Sequence, residues 1–331
     1  MLCARIRCSP SDFQVTEELG FEPAGEGEHD FLLIEKTGAN TAWVARQLAR
    51  HVGARVADVG FAGLKDRHAI TTQWFSVPRR GDNDTWTSFE CEGVRLLGNE
   101  RHARKLRRGA HRGNHFRIAL RGDFGDDIRP AVERRLEDIA GKGVPNYFGA
   151  QRFGRGGSNL AQATRLFAGE RLRRETRSLA ISAARSFLFN EILGVRVETG
   201  SWNRILPGEI ANLDGSGSVF ALDEVNAELE QRCADQDIHP TASLYGTGAA
   251  VAESNVSRIE TGVFDRYPEF TAGLERLGVK RAQRPLRQKV RDLTWEFAPG
   301  VLWLDFTLGK GAFATTVIAE LADIQSARSN T

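Results

Sequence analysis

Alternating polar and apolar residues dominate the first third of the chain. The segment DFQVTEEL at residues 12–19 alternates with a period of two, which is typical of a half-buried strand, and residues 29–36 do the same. Asn40 then stands where a helix N-cap is expected, ahead of apolar residues on adjacent helical turns. The pattern predicts strands at 12–19, 29–36, 72–77 and 114–120 and a helix at 41–51.

The rest of the chain changes from a strand pattern to a helical pattern and back. Beyond a glycine-rich stretch at residues 141–159, apolar residues recur at helical spacing, and the strand pattern returns near residue 293. This order predicts an α+β domain, residues 1–142 and 288–331, interrupted by a mainly helical insertion at 143–287. The predicted helices are 126–140, 158–168, 179–197, 223–234 and 315–323, and the predicted strands are 293–298 and 301–308.

The cations are distributed unevenly along the chain, although the net charge is only +2. Residues 101–117 hold seven Lys or Arg, residues 280–291 hold six, and neither segment contains an acid. Such clustering is expected of a protein that binds nucleic acid at a defined surface. Basic runs also coat helices that have no partner, and Arg outnumbers Lys throughout this chain. The expected contacts to the RNA backbone are Arg104, Lys105, Arg107, Arg108 and Arg112.

Composition and cysteine spacing narrow the class of protein. The 41% apolar and 27% charged content is ordinary for a globular protein, and no apolar run is long enough to span a bilayer. The N-terminus lacks the apolar core of a secretory signal, and the four cysteines form no CxxC pair. Three histidines between residues 102 and 115 lie among arginines, which would repel a metal ion. We therefore expect a reduced, cytoplasmic, enzyme-sized protein without a metal site.

The segment GFAGLKDRHAITTQWFSV, residues 60–77, contains the strongest candidate for chemistry. Asp66 lies between Lys65 and Arg67, and His68 follows. Cations close to a carboxylate favour its charged form, so we expect Asp66 to stay ionised at neutral pH. An ionised aspartate on a loop suits a nucleophile or a base that acts on a phosphate-bearing substrate. The alternative is a solvated turn whose charges only face water.

Phenylalanines stand where turns meet regular structure. Phe13 follows a Ser-Pro-Ser-Asp turn, Phe116 follows Arg-Gly-Asn in the first basic segment, and Phe313 follows Gly-Lys-Gly-Ala. Aromatic rings at such places can stack on an unpaired base, and an amide such as Asn114 can read its edge. Taken singly, each phenylalanine is more often part of a hydrophobic core.

Five blocks of sequence stand in order along the chain: FAGLKDRHAITTQWFSV (61–77), RGNHF (112–116), GVPNYFGAQRFGRGGSNL (143–160), ISAARSFLFN (181–190) and GAFATTV (311–317). Together they resemble the TruD family of tRNA pseudouridine synthases. The resemblance runs over essentially the whole chain, and the long blocks at residues 61–77 and 143–160 are the most specific. It implies a mixed, largely antiparallel pseudouridine-synthase sheet with flanking helices, interrupted by a TruD-specific insertion. It also implies a role for individual residues: Asp66 as the catalytic aspartate, Phe13, Asn114 and Phe313 as uridine-binding residues, Phe116 as the ring that stacks on the base, and Arg7 as the basic partner of Asp66.

The resemblance implies that uridine 13 of tRNA is the substrate and that no cofactor takes part. The uridine would be extruded from the folded RNA, its glycosidic bond cleaved, and the base rotated and rejoined through carbon 5. We expect a cytoplasmic monomer that needs no protein partner. A non-catalytic RNA-binding protein is the alternative from another class. A nuclease is a third reading, which lacks a visible acidic metal cluster.

Overall fold

A computed structural model describes residues 2–80, 85–248 and 254–326. The chain divides into two compact units. Unit 1 comprises residues 1–140, 290–314 and 318–331, and unit 2 comprises residues 141–289 and 315–317. The domain boundaries predicted from the sequence fall after residues 142 and 287. None of the helices in the described ranges is long and apolar enough to cross a membrane.

Unit 1 is built around one mixed sheet. Its main path runs in the order β14 (Arg291–Ala298), β15 (Val301–Gly309), β7 (Gly113–Arg121), β2 (Phe13–Glu18), β5 (Ile70–Pro78), β3 (His29–Thr37) and β6 (Val94–His102). Attached beside it are β1 (Leu2–Ile6), β16 (Ala322–Ser326) and β4 (Gly60–Phe61). All pairings are antiparallel except β2 with β5 and β1 with β16. The predicted mixed, largely antiparallel sheet is thus confirmed. The elements up to the end of α2 are β1 (Leu2–Ile6), β2 (Phe13–Glu18), β3 (His29–Thr37), α1 (Thr41–His51), β4 (Gly60–Phe61), β5 (Ile70–Pro78), β6 (Val94–His102), β7 (Gly113–Arg121) and α2 (Arg129–Lys142).

Helix α1 covers one face of this sheet. Val44 and Leu48, one helical turn apart, are fully buried in a cluster with Ile34 of β3 and Phe75 of β5. Asn40 takes the predicted N-cap position with extended backbone, but its side chain makes no capping hydrogen bond. Burial of the apolar stripe therefore stabilises this helix more than its cap does.

Unit 2 contains five helices and two small sheets within its described residues. The 25-residue helix α4 supplies two core clusters, and the larger sheet has the order β10-β9-β11-β12. The elements are β8 (Val144–Pro145), α3 (Ser158–Phe167), α4 (Arg174–Glu198), β9 (Glu209–Leu213), β10 (Val219–Leu222), α5 (Ala227–Ala234), β11 (Ile238–Leu244), α6 (Asn255–Phe264), α7 (Pro268–Arg276), β12 (Ala282–Pro285) and β13 (Arg287–Gln288).

None of the six strands of unit 2 given above was predicted from the sequence, and β11 shows why. Six of its seven residues are buried, so its sequence IHPTASL has no alternation to recognise. Its polar side chains are satisfied internally instead. The hydroxyl of Ser243 donates to the buried carboxylate of Glu260 at 2.7 Å, and the Thr241 hydroxyl donates to the Ile210 carbonyl.

The prediction of the last helix was wrong for its C-terminal part. Residues 315–323 were expected to be one helix, but α8 covers only Ala314–Ala319, and β16 follows at Ala322–Ser326 after β14 (Arg291–Ala298) and β15 (Val301–Gly309). β16 pairs in parallel with β1 at the other end of the chain. A pairing over that sequence separation leaves no local signal.

Candidate active site

The loop between β4 and β5, residues 62–69, carries Asp66 and is held by a chain of hydrogen bonds. The amide of Gln73 on β5 donates to the Gly63 carbonyl at 3.2 Å. The Thr41 hydroxyl at the start of α1 accepts from the Lys65 backbone N–H at 3.0 Å and donates to Gln73 at 2.9 Å. A loop fixed by a strand and a helix can present a catalytic group in one orientation.

A buried lysine holds the backbone of the aspartate itself. Lys36, at the end of β3, is fully buried, and its ammonium donates to the main-chain carbonyl of Asp66 at 2.8 Å. Burial lowers the pKa of Lys36 to about 8, and the nearby Asp66 charge opposes this shift. The lysine thus supports the loop from beneath while the carboxylate points elsewhere.

The carboxylate of Asp66 is half-exposed and forms an ion pair with Arg7. The Arg7 Nη2 atom lies 2.9 Å from Oδ2 of Asp66, and the His68 backbone N–H donates to Oδ1 at 3.0 Å. Arg7 has a φ of +59°, a left-handed conformation that costs a residue other than glycine roughly 1–3 kcal/mol. This backbone turn directs the guanidinium toward Asp66.

The cations next to Asp66 in sequence are engaged with other groups, unlike our expectation. The Lys65 ammonium lies 2.7 Å from the buried Glu17 carboxylate and donates to Oδ1 of Asn114 at 2.6 Å. The Arg67 guanidinium donates to the Gly38 carbonyl at 2.9 Å. The ion pair comes instead from Arg7, 59 positions away, the residue that the family resemblance implied as the basic partner of Asp66.

Asn114 is thereby oriented beside the loop. It lies on β7, and its carbonyl oxygen accepts from Lys65, so its NH₂ group is directed away from that lysine. Among the described residues this NH₂ group has no protein acceptor. It is available to donate to a carbonyl on the edge of a base.

Phe13 and Phe116 form a packed aromatic floor beside Arg7. The Arg7 guanidinium lies 4.3 Å from the centroid of the Phe13 ring, and Phe13 meets Phe116 edge to face at 6.3 Å. Phe116 in turn stacks on Phe306 at 5.5 Å and is only 7% exposed. The structure therefore brings together Arg7, Asp66, Phe13 and Phe116, with both rings buried.

Phe313 is placed near the same end of the sheet by strand pairing. β15 pairs with β7 so that Leu308 is opposite Asn114, and Phe313 follows in the turn before α8. Its side chain is 37% exposed. Phe313 is thus a surface residue of a turn, in contrast to the two buried rings.

The first basic segment forms an exposed loop alongside the aspartate loop. Its one buried side chain between residues 103 and 110 is Leu106, whose backbone N–H donates to the Ser76 hydroxyl at 2.8 Å. Gly109 donates its backbone N–H to the carbonyl of Ala62 at 2.8 Å. The anchored loop exposes all five of the predicted RNA-backbone residues, namely Arg104, Lys105, Arg107, Arg108 and Arg112.

The second basic segment is used differently. Arg287 is 97% buried, and it donates hydrogen bonds to the carbonyls of Cys233 and Ile238 and to Nδ1 of His239. Burial, followed by the charge of Arg152, lowers the pKa of Arg284 to about 10. These two cations are structural, so the second segment is not a uniform RNA-binding surface.

Comparison with known proteins agrees with the sequence blocks described above. The family model for tRNA pseudouridine synthase D (TruD) matches residues 2–161 and 159–321. The chain belongs to the TruD family. Among its relatives, the tRNA pseudouridine synthase D of Methylococcus capsulatus is 49% identical, covering 96% of this chain and 91% of that protein. The tRNA pseudouridine synthase D of Nitrosococcus oceani is 47% identical, covering 98% and 92%.

The fold agrees with a solved structure described as a candidate TruD protein. That crystal structure, from Methanosarcina mazei, superposes with a TM-score of 0.76 at 22% identity and covers 97% of this chain and 93% of the other. At this low identity the likeness concerns the fold alone.

The residues that support the loop at residues 62–69 were not predicted from the sequence. Lys36 and Glu17 stand at inward positions of their strands, where an apolar residue is expected. A charged residue at such a position indicates an interruption of the alternation, and not a buried ion. Thr41 and Gln73 have no sequence feature that marks them as supporting residues.

Among residues 2–80, 85–248 and 254–326, no group of three His, Cys, Asp or Glu side chains is arranged to hold a metal ion.

Proposed function

We propose that this chain isomerises uridine 13 of tRNA to pseudouridine with Asp66 as its catalytic carboxylate. Membership of the TruD family makes it a tRNA pseudouridine synthase. The observation that supports Asp66 most strongly is its half-exposed carboxylate on a hydrogen-bonded loop, ion-paired to Arg7. A carboxylate presented in this way can act on a ribose or a base that enters the site.

The reaction is an isomerisation, so every atom of the nucleotide is retained. The bond between N1 and C1′ breaks, the base rotates, and C5 bonds to C1′. C5 then loses its proton and N1 gains one, so no oxidant or reductant is consumed. Asp66 would serve either as nucleophile or as base in the cleavage step.

Other residues receive roles consistent with their contacts. Arg7 would keep the Asp66 carboxylate oriented, Asn114 would donate to the edge of the base, and Phe313 would cover it from the exposed turn. Phe116 is packed between Phe13 and Phe306. We therefore assign Phe13 and Phe116 to the apolar floor of the uridine site. Contact with this floor would offset part of the cost of unstacking the target base.

We propose that the exposed loop at residues 103–112, here called the basic loop, binds the backbone of the tRNA. We propose phosphate contacts from Arg104, Lys105, Arg107, Arg108 and Arg112, since each is exposed and each adds an electrostatic contact. We also propose that the protein works as a cytoplasmic monomer without an obligatory protein partner or cofactor.

The test compares wild type with Asp66→Asn on unmodified tRNA transcripts. Wild type should form pseudouridine at position 13, and Asp66→Asn should form none while binding the transcript with unchanged affinity. Asp237→Asn is a matched control, because it also removes a carboxylate paired with an exposed arginine, Arg232. Pseudouridine formation by Asp66→Asn at the wild-type rate would exclude Asp66 as the catalytic group.

The same assay separates the two other readings. A non-catalytic RNA-binding protein would bind the transcript and leave it unmodified in every variant. A nuclease would shorten the transcript, and cleavage by a metal-dependent nuclease would stop on addition of EDTA.

A further inference from the structure

A groove outside the uridine site lies between β4 and the basic loop. Its volume is about 460 Å³, and it does not include Asp66 or the aromatic floor. We name it the Phe61 groove after the aromatic ring in its wall. The side chains that line it include Val56, Val59, Phe61, Lys105, Arg107 and Arg108.

The Phe61 groove is formed before any ligand binds, because β4 and the basic loop are in close contact. A Cβ atom on Gly60 would lie 2.3 Å from the Leu106 carbonyl oxygen and 2.5 Å from the Ser76 hydroxyl. Only glycine permits this approach. Leu106 is buried below the loop, which fixes its neighbours Lys105 and Arg107 at the rim.

The wall of the groove carries a stacked cation and ring. The guanidinium carbon of Arg108 lies 3.8 Å from the centroid of the Phe61 ring, and Phe61 packs against Phe75 at 5.8 Å. The Arg108 side chain is exposed. Phe61 thus supports one side of a planar, charged group whose other side faces solvent.

Such a guanidinium plane, flanked by cations, matches the chemistry of a nucleotide. Bases that are not paired stack on arginine planes as they do on aromatic rings, and their phosphates bind lysine and arginine. The groove joins the aspartate loop directly, since Gly109 donates to the Ala62 carbonyl. Phe61 and Asp66 are five positions apart in the chain, so their Cα atoms lie within roughly 18 Å of each other.

We propose that the Phe61 groove binds an unpaired nucleotide of the tRNA substrate, other than the target uridine. The base stacks on the Arg108 guanidinium, and its phosphate contacts Lys105 and Arg107. This inference rests on the proposed function for the identity of the RNA. It assigns Arg108 a planar stacking contact in addition to its charge.

Arg108→Lys tests stacking apart from charge. Lysine keeps the positive charge but lacks the plane, so tRNA affinity should fall about tenfold while the dependence of log Kd on log salt keeps the wild-type slope. Arg108→Ala should weaken binding further and make the slope shallower. The control is Arg46→Lys, an exposed arginine of α1 outside the groove, which should bind as wild type does.

Binding is measured with an unmodified tRNA transcript over a salt series, and pseudouridine formation is measured on the same samples. Wild-type affinity for Arg108→Lys, with weaker binding by Arg108→Ala, would reduce Arg108 to a phosphate contact and overturn the inference. A wild type that binds tRNA through Arg108 but forms no pseudouridine would refute the proposed function and support the groove. Failure of wild type to bind tRNA would overturn both.

A fluorescent base identifies the occupant. 2-Aminopurine is placed in turn at unpaired tRNA positions, and its emission is followed on binding to wild type and to Arg108→Lys. One position should change its emission on binding to wild type and lose that change in Arg108→Lys. If no position depends on Arg108, the inference is wrong.

Discussion

The two basic segments, residues 101–117 and 280–291, are similar in sequence and different in use. The first presents Arg107 and Arg108 to solvent on a loop anchored by one buried leucine. The second buries Arg287 among three acceptors and packs Arg284 over the Phe148 ring at 4.1 Å. Clustered cations therefore indicate an RNA-binding surface only after their burial is known. In the second segment, Arg287 is part of the packed interior of unit 2.

The largest expected effect is on the free energy of unfolding, and it comes from Arg287, the buried arginine of the second basic segment. Arg287→Met leaves the carbonyls of Cys233 and Ile238 without their donor, so the free energy of unfolding should fall by about 3 kcal/mol. Urea denaturation followed by circular dichroism measures this. The salt dependence of tRNA binding should stay as in wild type for the folded fraction. A loss below about 1 kcal/mol would show that Arg287 is not structural.

A second prediction concerns Lys36, a buried cation that supports the loop that carries Asp66. Lys36→Met removes the hydrogen bond to the Asp66 carbonyl, so the rate of pseudouridine formation should fall about tenfold or more through misplacement of the loop. Unfolding free energy at pH 7 should not fall, because the variant no longer buries a charge. If the free energy of unfolding falls and the rate of pseudouridine formation falls only in proportion to the unfolded fraction, Lys36 acts only in folding.

The same lysine predicts a pH dependence of stability. The pKa of Lys36 is about 8 in the folded chain, and an unfolded lysine has a pKa of about 10.4. Between these values the unfolded state binds more protons, so this residue makes stability rise with pH from 8 to about 10.4. The measurement is the difference in unfolding free energy between wild type and Lys36→Met across that range. If this difference in unfolding free energy does not change with pH, the pKa of Lys36 is not lowered in the folded chain.

The smallest expected effect on stability is at the exposed segment. Arg107→Ala should change the free energy of unfolding by less than about 0.5 kcal/mol. The slope of log Kd against log salt for tRNA should become shallower by about 0.7–0.9, one phosphate contact. Arg46→Ala, an exposed helical arginine, is the control and should leave the slope unchanged. An unchanged slope in Arg107→Ala would remove this residue from the interface.

Sequence alone predicted much of the sheet, because β2, β3, β5 and β7 alternate as half-buried strands do. It could not predict β11, whose residues are buried on both faces, or β16, whose partner is β1. Neither a uniformly buried strand nor a distant pairing leaves a local periodic pattern.

The candidate site was predictable to a similar degree. Asp66 was singled out because an ionised carboxylate between cations on a loop suits a nucleophile or a base, and the family resemblance pointed to Arg7. The left-handed backbone of Arg7 and the diversion of Lys65 to Glu17 depend on three-dimensional packing. Burial of Phe116 was likewise invisible, because a phenylalanine in a strand reads the same whether its ring is exposed or packed.

The most direct test of the account is a single-turnover measurement with enzyme in excess over a tRNA transcript, for Asp66→Asn and Arg107→Ala. At saturating protein, Arg107→Ala should form pseudouridine at position 13 at the wild-type rate, because its defect is in binding. Asp66→Asn should form none although all of the tRNA is bound. Product formation by saturated Asp66→Asn at the wild-type rate would contradict the central claim that catalysis depends on the Asp66 carboxylate.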